Sequence, residues 1–337
     1  MSKNKLLLLL ALLLTAATGA WAQEPATTYS VKMKDGTVDA KNWSIASGEK
    51  SVKGDAADGL TGLSEGDQVT IQYTGRLKVK GVKATSDAEP AVTWNTVDLS
   101  TLTADYEAKN GDKLINTLGK KVKISIADGA TVMLDGAVIN GTNNDSYSWA
   151  GLNCLGNATI VLKDGTTNTV KGFYENYPGI HVPAGSKLTI QGGTEGTGKL
   201  TASPFDGGTV DSYGAGIGGG YDIPSGDIDI QGGIITATGG MYAAGIGGGD
   251  ATCGNISITG GTVTAMGGSQ GAGIGSGSSA SCGNITIANT VTKVTATKGS
   301  DGANSIGAGY NGSCGTVTIG GTVGAITESP YTYQPSN

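Results

Sequence analysis

The sequence has few bulky side chains and few positively charged ones. Aromatic residues make up 5% of its 337 residues, only two are Phe, and Arg76 is the one arginine. The formal net charge is -6. Nucleic-acid phosphates are bound mainly through Lys and Arg, so this balance argues against nucleic acid as a partner. Because Leu is scarce beyond the N-terminal segment, a core must be built from Ile, Val and Ala, which favours stacked strands over helices.

Long hydrophobic runs are also missing. The one apolar run, Leu6–Leu14, is too short to span a bilayer. It follows Lys3 and Lys5 and precedes the small-x-small sequence Ala20-Trp21-Ala22. This pattern is typical of a secretory signal peptide, so residues 1–22 predict a protein that is secreted or held at the cell surface or in the periplasm. No second apolar run follows, and no membrane span is predicted.

Glycine, by contrast, is abundant and periodic. The phrase Ala215–Gly220 returns as Ala244–Gly249 and Ala272–Gly277, and in altered form as Ser305–Gly309. A fixed period of this size is typical of a stacked solenoid. The glycines therefore mark turns and close packing. The same reasoning applies to Gly214-x-Gly216-x-x-Gly219, which lacks the following helix that a dinucleotide-binding fingerprint requires.

Each repeat contains three short runs in which apolar residues alternate with polar ones. The first run recurs as Asp227–Ile230, Asn255–Ile258, Asn284–Ile287 and Thr316–Ile319. The second aligns Leu200, Ile235, Val263 and Val294. The third has an apolar position at Leu152, Ile180, Ile217, Ile246, Ile274 and Ile306. A period of two places these residues on one face, so each becomes an interior column when coils stack.

We therefore predict an all-β fold, a right-handed, single-stranded parallel β-helix with a small N-terminal β module. The hand follows from the general preference of parallel crossovers. A glycine precedes the first run at seven places, which predicts about seven coils: Gly129, Gly156, Gly185, Gly226, Gly254, Gly283 and Gly315. The longest interval, between Gly185 and Gly226, indicates inserted loops at Thr194–Lys199 and Pro204–Tyr213.

The predicted layout has five parts. Alternation over Val69–Tyr73, a turn at Thr74-Gly75-Arg76 and renewed alternation at Leu77 and Val79 indicate a hairpin in the second part. The parts are a signal peptide (1–22), a small β module (23–84), a linker or N-terminal cap (85–118), the parallel β-helix (119–325) and a C-terminal tail (326–337).

The four cysteines do not have the spacing of a metal site. Cys253, Cys282 and Cys314 share one repeat position and should stack, whereas Cys154 lies several coils away. A buried thiol ladder is the favoured interpretation. One disulfide within the ladder is less favoured, because in-register side chains run parallel. A metal site is less favoured still, because the lone His181 belongs to a distant coil.

Acidic residues raise the question of catalysis. Candidates are Asp211, Asp222, Asp227, Asp229 and Asp250. Asp227 and Asp229 share a strand face, but the next coil has Asn255 and Ser257 in their places, so no second carboxylate supports them. A non-enzymatic protein is therefore favoured, with a polysaccharide lyase or glycoside hydrolase as the alternative. No cofactor is predicted. Calcium binding by these carboxylates is the one alternative that stays open.

Aromatic residues collect at the edges of the third run. The candidate ligand-binding residues are Trp149, Tyr177, Tyr213 and Tyr242, three or four residues before its apolar position, and Tyr221 and Tyr310, four residues after it. A column of rings suits sugar rings, although rings that only shield coil edges would give the same pattern. An outward column of Thr201, Thr236, Thr264 and Thr295 suits a flat lattice, but exposed strand positions favour Thr in any case.

The repeat phrases resemble those of a known group of proteins. Gly-Ala-Gly-Ile-Gly-Gly-Gly, Cys-Gly-Asn-Ile-Ser-Ile-Thr-Gly-Gly-Thr-Val-Thr-Ala and Asn304–Gly309 are similar to secreted, repeat-bearing proteins of gut-type bacteria, described as carbohydrate-binding-domain or adhesin-like β-helix proteins. The resemblance covers about residues 97–325. It implies a pectate-lyase-like fold without the catalytic set, and an exported protein that binds a polysaccharide or glycan. A structural surface protein that binds another protein remains a further alternative.

Overall fold

The structure is a computed structural model. It describes residues 94–205, 212–299 and 302–335 and, before them, the segments 8–10, 29–33, 43–53, 60–63, 69–73 and 82–86. The chain divides into two compact units, Met1–Thr93 and Trp94–Asn337.

The described residues of the first unit form two antiparallel sheets. One has the strand order Leu8–Leu10, Val69–Tyr73, Trp43–Ser47, Lys50–Lys53, and the other Leu60–Leu63, Tyr29–Met33, Val82–Ser86. The predicted strand Val69–Tyr73 is confirmed, and it pairs with Trp43–Ser47. The predicted turn at Thr74-Gly75-Arg76 and the second hairpin arm lie outside the described residues. Leu8–Leu10 falls within the predicted signal peptide, which stays a prediction.

The second unit is built from three parallel ladders. The first is an eight-stranded sheet of Tyr106–Ala108, Ile124–Ile126, Leu152–Cys154, Ile180–His181, Ile217–Gly218, Ile246–Gly247, Ile274–Gly275 and Ile306–Gly307. The others are two arms of a sixteen-stranded sheet that meet at the long strand Ala130–Ile139. The second ladder continues from its first half through Ala158–Leu162, Lys187–Gly192, Asp227–Ile230, Ile256–Ile258, Ile285–Ile287 and Val317–Ile319. The third continues from its second half through Thr167–Lys171, Lys199–Ser203, Ile234–Thr238, Thr262–Met266 and Lys293–Thr297.

Shorter elements complete this unit. Asn95–Asp98 and Asp112–Thr117 pair in parallel, and Asp112–Thr117 continues onto Ala130–Ile139. These strands thus belong to the same sheet as the repeats. Ser281–Cys282 and Ser313–Cys314 form a separate two-stranded parallel pair. Two short 3₁₀ helices span Leu99–Thr101 and Asp145–Tyr147.

The chain visits the ladders in a repeating order. Ile217–Gly218 of the first ladder is followed by Asp227–Ile230 of the second and Ile234–Thr238 of the third, and then the cycle restarts. Long parallel sheets visited in this order are compatible with a parallel β-helix, and the predicted all-β class is confirmed.

The predicted interior columns are confirmed residue by residue. Ile217 pairs with Ile246, Ile246 with Ile274 and Ile274 with Ile306. All four side chains are fully buried. The second run aligns as predicted, with Ile235 opposite Val263 and Val263 opposite Val294. The Thr column is in register too, and the third ladder extends it at its start with Thr169, which pairs with Thr201.

The glycines that mark the repeat are of two kinds, which corrects the expectation that they share one position. Gly226 aligns with Gly254, Gly283 and Gly315, and Gly156 is in phase with them. Gly129 lies one residue after that position and Gly185 one residue before it. Both have positive φ, 73° and 82°, so they are turn glycines.

The in-phase glycines accommodate a column of Asn and Asp side chains. Asp227 Oδ1 accepts a hydrogen bond from the backbone N–H of Asn255 at 2.7 Å. Asn255 Oδ1 accepts one from Asn284 at 2.9 Å, and Asn284 Oδ1 one from Thr316 at 2.8 Å. A Cβ atom on Gly283 would lie 2.6 Å from Asn255 Oδ1, so a side chain there would displace this acceptor. We call these residues the Asx column; it ties each coil to the next.

The end of the second unit covers the last strand of every ladder. Thr322–Val323 pairs antiparallel with Val317–Ile319, and Tyr331–Tyr333 with Lys293–Thr297. Ile326 forms two backbone hydrogen bonds with Ile306, of 3.2 and 2.9 Å. Open strand edges invite pairing with other chains, so this segment acts as a cap.

We expect Ile246→Asp to prevent folding of the second unit, because a buried, unpaired charge costs several kcal/mol. The matched control is Thr264→Asp, on the outward face of the same repeat. Circular dichroism melting should show a cooperative transition for the control and none for Ile246→Asp. A soluble, cooperatively folding Ile246→Asp protein would contradict the interior placement.

Loss of one Asx-column side chain should weaken the fold without abolishing it. Asn255→Ala removes the acceptor for the Asn284 N–H, and a hydrogen bond of this kind contributes about 1 kcal/mol. Urea denaturation should show that loss in the free energy of unfolding. The control is Ser257→Ala, an outward position of the strand Ile256–Ile258 that follows Asn255, and it should change the free energy of unfolding by less than half as much. Equal effects of the two changes would show that the column contributes nothing specific.

Candidate functional site

Three tyrosines form an aromatic cluster beside the first ladder. The rings of Tyr213 and Tyr242 stack with centroids 4.7 Å apart and planes inclined by 17°. Tyr221 meets Tyr213 edge-on, also at 4.7 Å. The register explains the stack, because each stacked tyrosine lies four residues before an interior isoleucine and those isoleucines, Ile217 and Ile246, are paired. We call these three residues the tyrosine cluster.

Two of the predicted ligand-binding residues lie apart from this cluster. Trp149 packs instead against Tyr147 and Phe173, at centroid distances of 5.4 and 5.6 Å, and its buried indole N–H has no partner among the described residues. Tyr177 is out of phase with Tyr213, since its backbone carbonyl lies against Gly214. Both residues lie three positions before their apolar residue, not four, and this difference of one residue removes them from the stack.

A groove of about 440 Å³ begins at Asp222, directly after Tyr221 of the tyrosine cluster, and none of the three cluster residues is part of its lining. It crosses the turns that follow four successive strands of the first ladder. Its lining is Asp222, Pro224, Asp250, Ala251, Thr252, Ser279, Ala280, Ser281, Asn311, Gly312 and Ser313. Tyr221 directly precedes Asp222, and Tyr310 directly precedes Asn311. These two rings, 42% and 43% exposed, therefore mark its first and last coils.

The groove is shaped by a left-handed turn that recurs in three of its four coils, the exception being the coil of Ile246. Asp222, Ser279 and Asn311 occupy equivalent positions, five residues after the interior isoleucine, and have positive φ values of 51°, 55° and 52°. Asn and Asp tolerate this left-handed conformation better than most residues. The Ser279 N–H donates to the carbonyl of Tyr310 at 2.7 Å. Small polar side chains are thus presented at coil-to-coil intervals.

Two carboxylates give the groove its charge. The backbone N–H of Asp222 donates to Asp250 Oδ1 at 3.0 Å. Burial raises the pKa of Asp250, and the neighbouring Asp222 charge raises it further. No lining residue is Lys or Arg. The groove therefore presents hydroxyl and amide groups around two neighbouring acids.

The other candidate acids do not join this pair. Asp227 belongs to the Asx column, and the Asp229 Oδ2 atom accepts a hydrogen bond from Gln231 at 2.8 Å. Both lie on the second ladder. Asp211 lies outside the described residues. Of the five acids named from the sequence, the structure brings only Asp222 and Asp250 together among the residues it describes.

His181, one repeat earlier, contacts one residue of the groove lining. Its Nε2 atom is 3.2 Å from the carbonyl oxygen of Pro224, one of the lining residues. Burial lowers the pKa of His181, so the ring is neutral at neutral pH, with its Nε2–H donated to Pro224.

The cysteine column is confirmed. The backbones of Cys253 and Cys282 form an isolated parallel β-bridge, and Cys282 pairs with Cys314 in the parallel register of two short strands. All three cysteines are free thiols. A hydrogen bond with Cys253 is the main cause that raises the pKa of Cys282. Burial raises the pKa of Cys154 to about 12. Among the described residues no group of three or more His, Cys, Asp or Glu side chains is placed to hold a metal ion.

Comparisons with known proteins return no match to a family model, a curated protein or a solved structure. The resemblance to secreted adhesin-like proteins therefore stays a prediction, and the fold stands on the strand pairing alone. Within the described part of the chain, no helix is both long enough and apolar enough to cross a membrane.

The lowered pKa of His181 predicts a loss of stability in mild acid. The unfolded ring takes up a proton near its ordinary pKa of about 6.5, whereas the folded ring resists it until a lower pH. The stability contributed by the neutral ring is thus present above pH ~6.5 and is lost as the pH falls toward the folded pKa. Urea denaturation at pH 7.5 and 5.5 should show a smaller acid-induced loss for His181→Gln than for the natural protein. The same loss in both proteins would contradict this assignment.

Proposed function

We propose that the chain is an exported, non-catalytic protein that binds an extended carbohydrate chain through the tyrosine cluster and the adjoining groove. The observation that carries the proposal is the Tyr213–Tyr242 stack beside a groove lined by hydroxyl and amide groups. Aromatic rings provide flat apolar faces for sugar rings, and a few placed polar groups set orientation and specificity. The N-terminal Lys-Leu-rich segment supports export.

The proposal includes a right-handed, single-stranded β-helix of about seven coils. The cyclic order of the three ladders and the recurring in-phase positions support this architecture. Parallel strands stack ~4.8 Å apart, so Tyr221 and Tyr310, three coils from each other, would be roughly 14 Å apart along the axis. The coil spacing is comparable to the length of one sugar in an extended chain. A bound chain would run along the groove, with about one sugar for each coil.

A second candidate is a glycoside hydrolase that uses Asp222 and Asp250. The observation that favours it is the raised pKa of Asp250 beside another carboxylate, since such pairs supply the acid and base of glycosidases. Reducing-end assays on neutral and acidic polysaccharides separate the two functions. Release of products by the natural protein and its loss in Asp250→Asn would establish the hydrolase, whereas binding without release supports the non-catalytic function.

Removing the two stacked rings should weaken glycan binding. Each ring–sugar contact contributes on the order of 1 kcal/mol, so Tyr213→Ala combined with Tyr242→Ala should raise the Kd by about tenfold or more. Titration calorimetry with β-1,4-linked hexasaccharides measures the effect. Tyr174→Ala is the matched control, because Tyr174 lies one coil earlier and its ring has no contact with the tyrosine cluster among the described residues.

The melting temperature distinguishes binding from structural roles. We expect the double variant and the control to melt within a few degrees of the natural protein, because the stacked rings remain partly exposed. Unchanged affinity in the double variant, or early melting, would show that the rings stabilise the coils and do not bind sugar.

A further inference from the structure

We infer that the carbohydrate bound in the groove carries no acidic groups, and that amino sugars are preferred over neutral ones. This inference rests on the proposed function and names the class of its ligand. Acidic polymers, which include the uronate substrates of pectate-lyase-like enzymes, are excluded by it.

The first observation is the charge of the groove itself. Its two ionisable lining side chains are Asp222 and Asp250; the remaining lining residues are uncharged. The backbone N–H of Asp222 donates a hydrogen bond to Asp250 Oδ1, with 3.0 Å between the nitrogen and the oxygen, so the two acids are neighbours in space. A carboxylate on a ligand would meet two carboxylates and no cation in the groove. Like charges placed together without a counter-charge oppose binding.

The second observation concerns the chain around the groove, which adds further acids to Asp222 and Asp250. Residues 200–292 contain six Asp and no Glu, Lys or Arg, which gives this stretch a formal charge of -6. It supplies the groove turns at Asp222–Pro224, Asp250–Thr252 and Ser279–Ser281. The one histidine of the chain, His181, is kept neutral by burial. The sequence around these turns is therefore acidic, which favours the approach of cations over that of anions.

The third observation is that the acids retain unused hydrogen-bonding capacity. Asp250 Oδ1 accepts the backbone N–H of Asp222, and neither carboxylate has an ion-pair partner among the described residues. A protonated amino group on a sugar supplies three donors and a positive charge, and charge-assisted bonds of this kind are stronger than neutral ones. An amino sugar beside Asp222 and Asp250 thus supplies both carboxylates with hydrogen-bond donors and a counter-charge. A neutral sugar supplies hydroxyl donors only, and the carboxylate of a uronate supplies neither a donor nor a counter-charge.

Three hexasaccharides with the same β-1,4 linkage test the inference on the full chain: a glucose oligomer, a glucosamine oligomer and a glucuronic acid oligomer. Titration calorimetry at neutral pH and low salt should rank the glucosamine oligomer first and the glucose oligomer second. The glucuronic acid oligomer should bind at least about tenfold more weakly than the glucose oligomer, a difference near 1.4 kcal/mol. Because salt screens exposed charges, 0.5 M NaCl should reduce the differences in affinity among the three oligomers.

The double variant Asp222→Asn, Asp250→Asn identifies the source of the preference. It should lose most of the discrimination among the three oligomers, measured as the affinity of each charged oligomer relative to that of the glucose oligomer in the same variant. Asp145→Asn, a change in the 3₁₀ turn Asp145–Tyr147 outside the groove, is the matched control and should leave the ranking intact.

The outcomes are distinguishable. If the glucuronic acid oligomer binds as tightly as the glucose oligomer, or if the natural ranking persists in the double variant, the inference is overturned while the proposed function stands. If none of the three binds and further neutral polysaccharides also fail, the proposed function is overturned and the inference with it. A glucosamine preference that the double variant abolishes supports both.

Discussion

Everything in the second unit depends on in-register parallel stacking, in which each residue faces its own equivalent one coil away. Interior positions must then be apolar in every coil, as Ile217, Ile246, Ile274 and Ile306 are. Outside the interior, the Asn and Asp side chains of the Asx column bond the next coil, as the exposed Asn255 accepts a hydrogen bond from the Asn284 N–H. The backbone must come close where these side chains cross, and Gly283 provides that space. Stacking also explains why one surface feature recurs along the axis, because a turn made once is made again at coil-to-coil spacing.

The sequence predicted the interior columns because they depend on one rule, the period of two within a strand, applied to repeats that share the same residues. It missed the Asx column, although a signal was present: Gly156, Gly226, Gly254 and Gly283 are each followed by Asn or Asp. The seven marker glycines were treated as equivalent because glycine serves both turns and close approaches. Only strand register separates the two uses, and it places Gly129 and Gly185 among the turns.

The candidate site was predicted only in part, for a similar reason. Tyr213 and Tyr242 were identified from their distance to the interior isoleucine, and they stack. Trp149 and Tyr177 were grouped with them although they lie one residue closer, and in a stacked structure one residue changes the column. The groove was not anticipated at all. Its lining comes from turns whose residue types vary. Three of the four share a left-handed backbone, at Asp222, Ser279 and Asn311, which no simple sequence pattern displays.

A crystal structure of the full chain with a bound β-1,4-linked glucosamine hexasaccharide would locate the binding site. We expect sugar density that runs along the groove from Tyr221 toward Tyr310, with one ring against the Tyr213–Tyr242 stack and an amino group within hydrogen-bond distance of Asp222 or Asp250. Density on another face, such as the Thr column of the third ladder, or an empty groove at saturating ligand, would contradict it.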